Sequence, residues 1–257
     1  MDSRELESYA DHSRALDLAH LDWGAVRDHR VPREALRTLH YMQDIETHTL
    51  VYLRELLATR AIDEPEISDF LACWVYEESA HGRALRRFLE ASGEIVTPRE
   101  RSRSTASERF REWVMARLSR SWPEFVAVHM TWGAINERTT LAGYNRLAEL
   151  AGHPVLSKLL TLIGRDESRH FGFYFRQSRR WLARPRVAAM VRFLVRRFWA
   201  PVGSGVQPSA ETRFLGRYLF AGPEGRAAAR GVDRTIRALP GLADVPLLEH
   251  WLDRAGG

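Results

Sequence analysis

The chain of 257 residues has a single cysteine, Cys73, so it forms no internal disulfide and no thiol-based metal cluster within one chain. Lysine is almost absent as well: Lys158 stands alone, and nearly all of the positive charge is arginine. No stretch approaches the roughly 20 apolar residues that cross a bilayer. The N-terminal segment MDSRELESYADH is polar and acidic with no apolar run behind it, so no secretory signal is expected and a cytoplasmic setting is. The alternation of apolar and polar residues that marks strands is missing, and so are the Gly-rich loops that cradle phosphates, flavins or nicotinamides. Zinc-finger spacings and RNA-binding signatures are lacking too. The net charge of +5 and pI near 9.8 therefore do not by themselves point to nucleic acid.

What is present is helix after helix, an all-α reading. A first long helix is predicted from about Pro32 to Ala61, with Pro32 suited to a first turn where its missing N–H is not needed. The IDEPE stretch breaks the chain, and Pro65 opens a second helix that stops near Gly93. Residues 94–106 have turn and charge character and read as a crossover. A short helix around 107–119 follows. Trp122-Pro123 then starts a long helix ended by Gly152-His153-Pro154, and another runs from Pro154 to about Ala183. Beyond Pro185 lie shorter helical pieces separated by PVGSG, AGPEG and LPGLADVP. One domain spans 1–257, with a core bundle over about 33–184 and an accessory helical region over 185–257.

Four of these helices carry acid where a core helix wants leucine. Glu46 falls on the stripe of Leu39, Met42, Leu50, Leu53 and Leu57. Glu78 and His81 share a face with Trp74, Leu85 and Phe88. Glu137 sits among Met130, Leu141, Tyr144 and Leu147. Glu167 and His170 share theirs with Leu156, Leu160, Ile163 and Tyr174. Burying four unpaired carboxylates together is prohibitive unless a multivalent cation joins them. Depth points the same way. If the first hairpin turns at Asp63, Glu46 lies 17 residues before the turn, and Glu78 and His81 lie 15 and 18 after it. If the second turns at His153, Glu137 lies 16 before, and Glu167 and His170 lie 14 and 17 after. At about 1.5 Å of rise per residue all six sit roughly 21–27 Å from their turns.

Glu-x-x-His occurs twice, at 78–81 and 167–170, which count alone makes unremarkable among 21 Glu and 10 His. The spacing does place Glu and His on one helical face. A lone motif is most often a surface pair. Two on core stripes, each matched by a lone Glu at equal depth in the preceding helix, make the ligand set Glu46, Glu78, His81, Glu137, Glu167 and His170 of a di-iron carboxylate bundle. Mixed carboxylate and imidazole donors suit a pair of Fe ions, or Mn with Fe, better than a closed structural zinc site. The other histidines (His12, His20, His29, His40, His48, His129, His153 and His250) read as structural or surface residues.

The wording around the ligands is more specific. The stretch ACWVYEESAHGRALRRFLEASG, with its Glu-Glu-x-x-His-Gly, and the stretch NERTTLAGYNRLAELAGHPVLSKLLTLIGRDESRH, with Glu-Arg-x-Thr and Asp-Glu-x-x-His, resemble the two halves of the soluble acyl-acyl-carrier-protein desaturases. The likeness covers roughly residues 39–175. It implies a ferritin-like four-helix bundle with a long crossover and additional C-terminal helices. The same six residues would be iron ligands, and Thr140 would lie beside the oxygen-binding position; the plainer reading of Thr140 is a buried threonine bonded back to its own helix. Metal-bound histidines usually donate their second ring N–H to an acceptor. Asp166 is therefore expected to orient His81, as the resemblance also implies, and Glu77 to orient His170, on symmetry alone.

The implied activity is oxygen-dependent desaturation of an acyl chain on acyl carrier protein, with two iron ions, dioxygen as co-substrate and a ferredoxin-like electron donor. A homodimer is the expected assembly. Acidic carrier proteins would fit the arginine-rich stretch 179–198, including Arg196 and Arg197, although burial of arginine stems over the bundle explains it as well. The sequence departs from the family at Ala80, where a larger polar residue is common, and before 33 and after about 185. Other ferritin-like oxygenases, including N-oxygenases and hydroxylases, use much the same ligands. Iron storage, peroxide scavenging or a non-catalytic bundle are the readings from other classes.

Overall fold

The computed structural model describes residues 9–11, 13–57, 59–97, 117, 121–204 and 207–255, without the side chains of 50, 51, 54 and 55. Four long helices dominate: α1 (Arg33–Leu57), α2 (Pro65–Ala91), α3 (Val126–Ala151) and α4 (Pro154–Leu182). Four shorter ones follow: α5 (Pro185–Phe198), α6 (Ser209–Phe220), α7 (Gly222–Arg237) and α8 (Leu248–Ala255). The chain is all-α among the described residues, apart from one isolated bridge between Ser204 and Gln207. Among the described residues, no helix is long and apolar enough to cross a membrane.

Short connections make α1/α2 and α3/α4 into hairpins. The first turn is tighter than the periodicity suggests: α1 stops at Leu57, and a separate 3-10 turn occupies Arg60–Asp63. Thr59 caps that turn by accepting from the Ala61 N–H. Leu57, placed on the core stripe by spacing, is 46 % exposed because it lies at this frayed end. Pro65 then begins α2. The second turn rests on two residues. Gly152 takes the left-handed conformation (φ 59°) that lets α3 end. The buried ring of His153 next caps α4, with Nδ1 accepting from the Leu156 N–H and Nε2–H reaching the Val26 carbonyl at 3.0 Å. That histidine is structural.

The predicted helix at 107–119, apart from residue 117, and the crossover 94–106 beyond residue 97 lie outside the described residues. The AGPEG segment is not a linker: Gly222 (φ 71°) and Pro223 open α7 directly after α6. The later helices lie over the hairpins. Arg37 on α1 makes two hydrogen bonds to Glu211 on α6, at 2.9 and 2.8 Å. Tyr41 donates to the Val202 carbonyl at 2.7 Å, and Gln207 donates to Asp44 at 3.0 Å, which straps the segment before α6 across α1. On α5, Arg192 and Arg196 share the single carboxylate of Asp244, so Arg196 is engaged within the fold.

The two hydrophobic clusters divide the molecule at the level of the acidic residues. One gathers Phe70, Trp74, Met130 and Phe173 with α5, and the other gathers Leu39, Phe88, Leu147 and Ile163 with α6 to α8. The buried acids occupy the seam between them.

Candidate metal centre

All six acidic and imidazole residues are buried, and His81, Glu167 and His170 are 0 % exposed. They come from one level of all four long helices. Glu46, Glu78, His81 and Glu167 each offer a ligand atom within 4.8 Å of the others, and so do Glu78, Glu137, Glu167 and His170. Glu78 and Glu167 belong to both groups. Each group could hold a cation, and Glu78 and Glu167 would serve both.

The donor atoms point inward with nothing to bind. Among the described residues, Glu46 Oε2, Glu78 Oε1, His81 Nδ1, both Glu167 oxygens and His170 Nδ1 are buried without a hydrogen-bond partner. In an ordinary core such groups are paired. The donor set therefore fits a pair of divalent cations, with Nδ1 as the metal-facing atom of each imidazole. His81 Nδ1 stands 3.4 Å from Glu167 Oε1, and His170 Nδ1 stands 3.0 Å from Glu78 Oε1.

The far side of each ring is fixed by an acceptor one residue before a Glu of the other hairpin. His81 Nε2 lies 3.1 Å from Asp166 Oδ2, and His170 Nε2 lies 2.8 Å from Glu77 Oε2. Arg169 joins these two carboxylates, bonding Asp166 at 2.6 Å and Glu77 at 2.9 Å. Glu77 takes a further bond from Tyr9 (2.9 Å), which reaches in from the N-terminal segment. The guanidinium of Arg169 lies over the Tyr9 ring.

The two unshared glutamates are each held by a donor on one oxygen. Tyr144 donates to Glu46 Oε1, and Trp74 Nε1 donates to Glu137 Oε1 at 3.0 Å. In both cases Oε2 is left for the cluster.

Electrostatics reflects a site built for positive charge. Burial, with the neighbouring charges of Glu78 and Glu167, pushes the Glu46 and Glu137 carboxyls well above the usual range. Burial alone would also raise Glu167, but the His170 and His81 imidazoles beside it outweigh that and hold the carboxyl low. Burial would lower His81; Asp166 and Glu167 overcome it and push the imidazole up to about 9. His170 is raised well above its ordinary value by Glu167, Glu77 and Glu78 against the same burial. The shifts all come from acids and imidazoles crowded into one buried volume, so protons and cations compete for the same atoms. A bound metal displaces the protons.

Thr140 is half-buried and lines a cavity of about 320 Å³ together with Glu46, Glu78, Glu137 and Glu167. Its neighbour Thr139, not Thr140, makes the bond back to its own helix, donating to the Ile135 carbonyl at 2.7 Å. A second, apolar chamber of about 60 Å³ adjoins the first and shares Ile45, Glu46, Thr140, Pro201 and Val202 with it.

Periodicity places Trp74 and Tyr144 on apolar stripes and gives no role to Tyr9 or Arg169. Periodicity reports which face a residue occupies, not where the polar tip of a ring ends. Arg169 is three residues after Asp166, a spacing that could have flagged the pair.

Comparison with known proteins adds one finding. A family model described as "Fatty acid desaturase" matches residues 40–199, which include all six buried acidic and imidazole residues. No curated protein and no solved structure matches the chain.

Proposed function

The chain belongs to the fatty acid desaturase family, and from that premise we propose that its buried cluster holds two iron ions and serves oxygen-dependent desaturation of an acyl chain on acyl carrier protein. The single observation that carries this reading is the pair of four-ligand groups sharing Glu78 and Glu167. A manganese–iron pair suits the same donors. In this ferritin-like reading residues 33–184 are the catalytic bundle and 185–257 an accessory region.

When bound, the metals supply the activation of dioxygen and the abstraction of hydrogen that side chains cannot perform. The balance is that two adjacent carbons each lose a hydrogen and dioxygen leaves as two waters. The two further electrons come from an external ferredoxin-like donor, and two protons come from solvent.

The chain's own residues do the rest. Asp166 and Glu77 accept the Nε2 protons and keep Nδ1 of each ring directed at the cluster. Arg169 keeps both acceptors ionised and in place. Tyr144 and Trp74 hold one oxygen of Glu46 and Glu137, so each presents the other. Thr140 lines the cavity, where its hydroxyl would hold or pass a proton. The apolar walls of the adjoining chamber exclude water from the reacting carbons. Docking of an acidic carrier would fall to exposed arginines such as Arg197, since Arg196 is bound to Asp244.

The test is anaerobic iron loading followed by oxygen exposure with and without acyl carriers. Two irons per chain, and oxygen uptake that depends on an acyl–acyl carrier protein, are expected. Iron uptake far below two per chain would end the dinuclear reading. Normal iron oxidation that ignores every acyl carrier would instead indicate a different oxygenase, such as an N-oxygenase.

A further inference from the structure

We propose that Trp251, supplied by the C-terminal helix α8, is the wall that limits how far an acyl chain extends past the carboxylate cluster. The inference rests on the acyl-chain reading given above. It concerns a region beyond residue 199, where the family match stops.

The apolar chamber begins at Glu46 and Thr140 and is closed by residues of α6 and α8, among them Leu215, Leu219, Leu248 and Trp251. Its remaining hydroxyls are already committed. Thr139 bonds the Ile135 carbonyl, Tyr41 donates to the Val202 carbonyl, and Thr212 lies 3.2 Å from the Tyr41 hydroxyl. A ligand in this chamber therefore finds apolar contact and almost no hydrogen bonding, which selects a hydrocarbon segment. The volume is about 60 Å³, equivalent to roughly four to six water-sized positions. The segment that fits beyond the cluster is short.

Outside the chamber lies a cleft of about 290 Å³, lined by Ser204, Ser209, Arg213 and Arg254. Trp251 and Thr212 are the two residues that line both spaces, so they form the partition between them. The indole is seated against α6 at Gly216. A Cβ built there would meet Trp251 Cζ3 at 2.5 Å. Glycine at this position lets the ring approach the helix this closely and seal the chamber. Removing the indole joins the chamber to the cleft and opens a path for a longer chain.

The experiment is calorimetric titration of the metal-loaded full chain, kept anaerobic so that nothing turns over, with saturated acyl–acyl carrier proteins lengthened one methylene at a time. Each methylene that enters the apolar chamber tightens binding by about fourfold, and the gain stops where the chain meets the partition. We expect the break at a short length in the wild type, at a longer one in Trp251→Leu and at the longest in Trp251→Ala. The leucine variant keeps an apolar filler and guards against loss of folding in the alanine variant. A break at the same length in wild type and both variants would overturn the assignment of Trp251 while leaving the acyl-chain reading intact. Absence of length-dependent binding in all three would overturn both.

Discussion

His81 and His170 occupy equivalent places in the two hairpins but meet unequal supports. Asp166, the acceptor for His81, has a side chain 14 % exposed, whereas Glu77, the acceptor for His170, is fully buried and also receives bonds from Tyr9 and Arg169. A buried acceptor bound by three donors cannot relax when one is removed, and water cannot replace it. Replacing Asp166 by Ala is expected to weaken metal retention by about 10- to 100-fold, the usual cost of losing an acceptor behind a metal-bound histidine. Replacing Glu77 by Ala is expected to cost more, because Tyr9 loses its partner at the same time and Arg169 is left with Asp166 alone. Rates of metal release to a chelator would measure both. Release unchanged from wild type in the two variants would show that neither carboxylate positions its ring.

At the scale of the helices, α3 and α4 approach closely enough that Gly133 has no space for a side chain. A Cβ there would sit 2.4 Å from the Tyr174 ring. Tyr174 is itself fully enclosed, edge-on to Phe70 and Trp74. Gly133→Ala should therefore destabilise the protein by about 1–3 kcal/mol through overpacking, even though alanine is the better helix former. Adding Tyr174→Leu should recover part of the loss. Thermal unfolding of the single and double variants tests this, and an unchanged midpoint in Gly133→Ala would refute the close approach.

The same helices show what a sequence displays and what it hides. The level shared by the six acidic and imidazole residues is legible because rise per residue is constant and both turns are marked, by Asp63 before Pro65 and by Gly152-His153-Pro154. The end of α1 is less so. Nothing in the periodicity up to Ala61 signals that Thr59 would cap a separate 3-10 turn, leaving Leu57 exposed. The hydrogen bonds from Tyr144 to Glu46 and from Trp74 to Glu137 depend on ring orientation across the bundle. Tyr9 comes from a segment with no pattern at all. Its partner Glu77 is 68 residues away, and no local spacing encodes such a contact.

For the whole molecule, four buried carboxylates converge on one seam between two hydrophobic clusters, so the metal-free fold carries an electrostatic strain that cations relieve. A ligand that binds only the folded state stabilises it by about 2.7 kcal/mol at a hundredfold excess over its dissociation constant. In a chain of this size that corresponds to a shift of roughly 5–10 °C in the unfolding midpoint. Stripping the metals with a chelator should lower the midpoint by at least that much, and restoring them should return it. An unfolding curve indifferent to chelation would mean that the seam does not hold cations.

The partition formed by Trp251 and Thr212 has a consequence for how such a protein can diversify. Both residues stand on α6 and α8, whereas every candidate ligand stands on α1 to α4. Drift in the tail can thus retune what the chamber admits without disturbing the acids and imidazoles, which is how an old oxidative core could be fitted to new molecules by exchanging its cover.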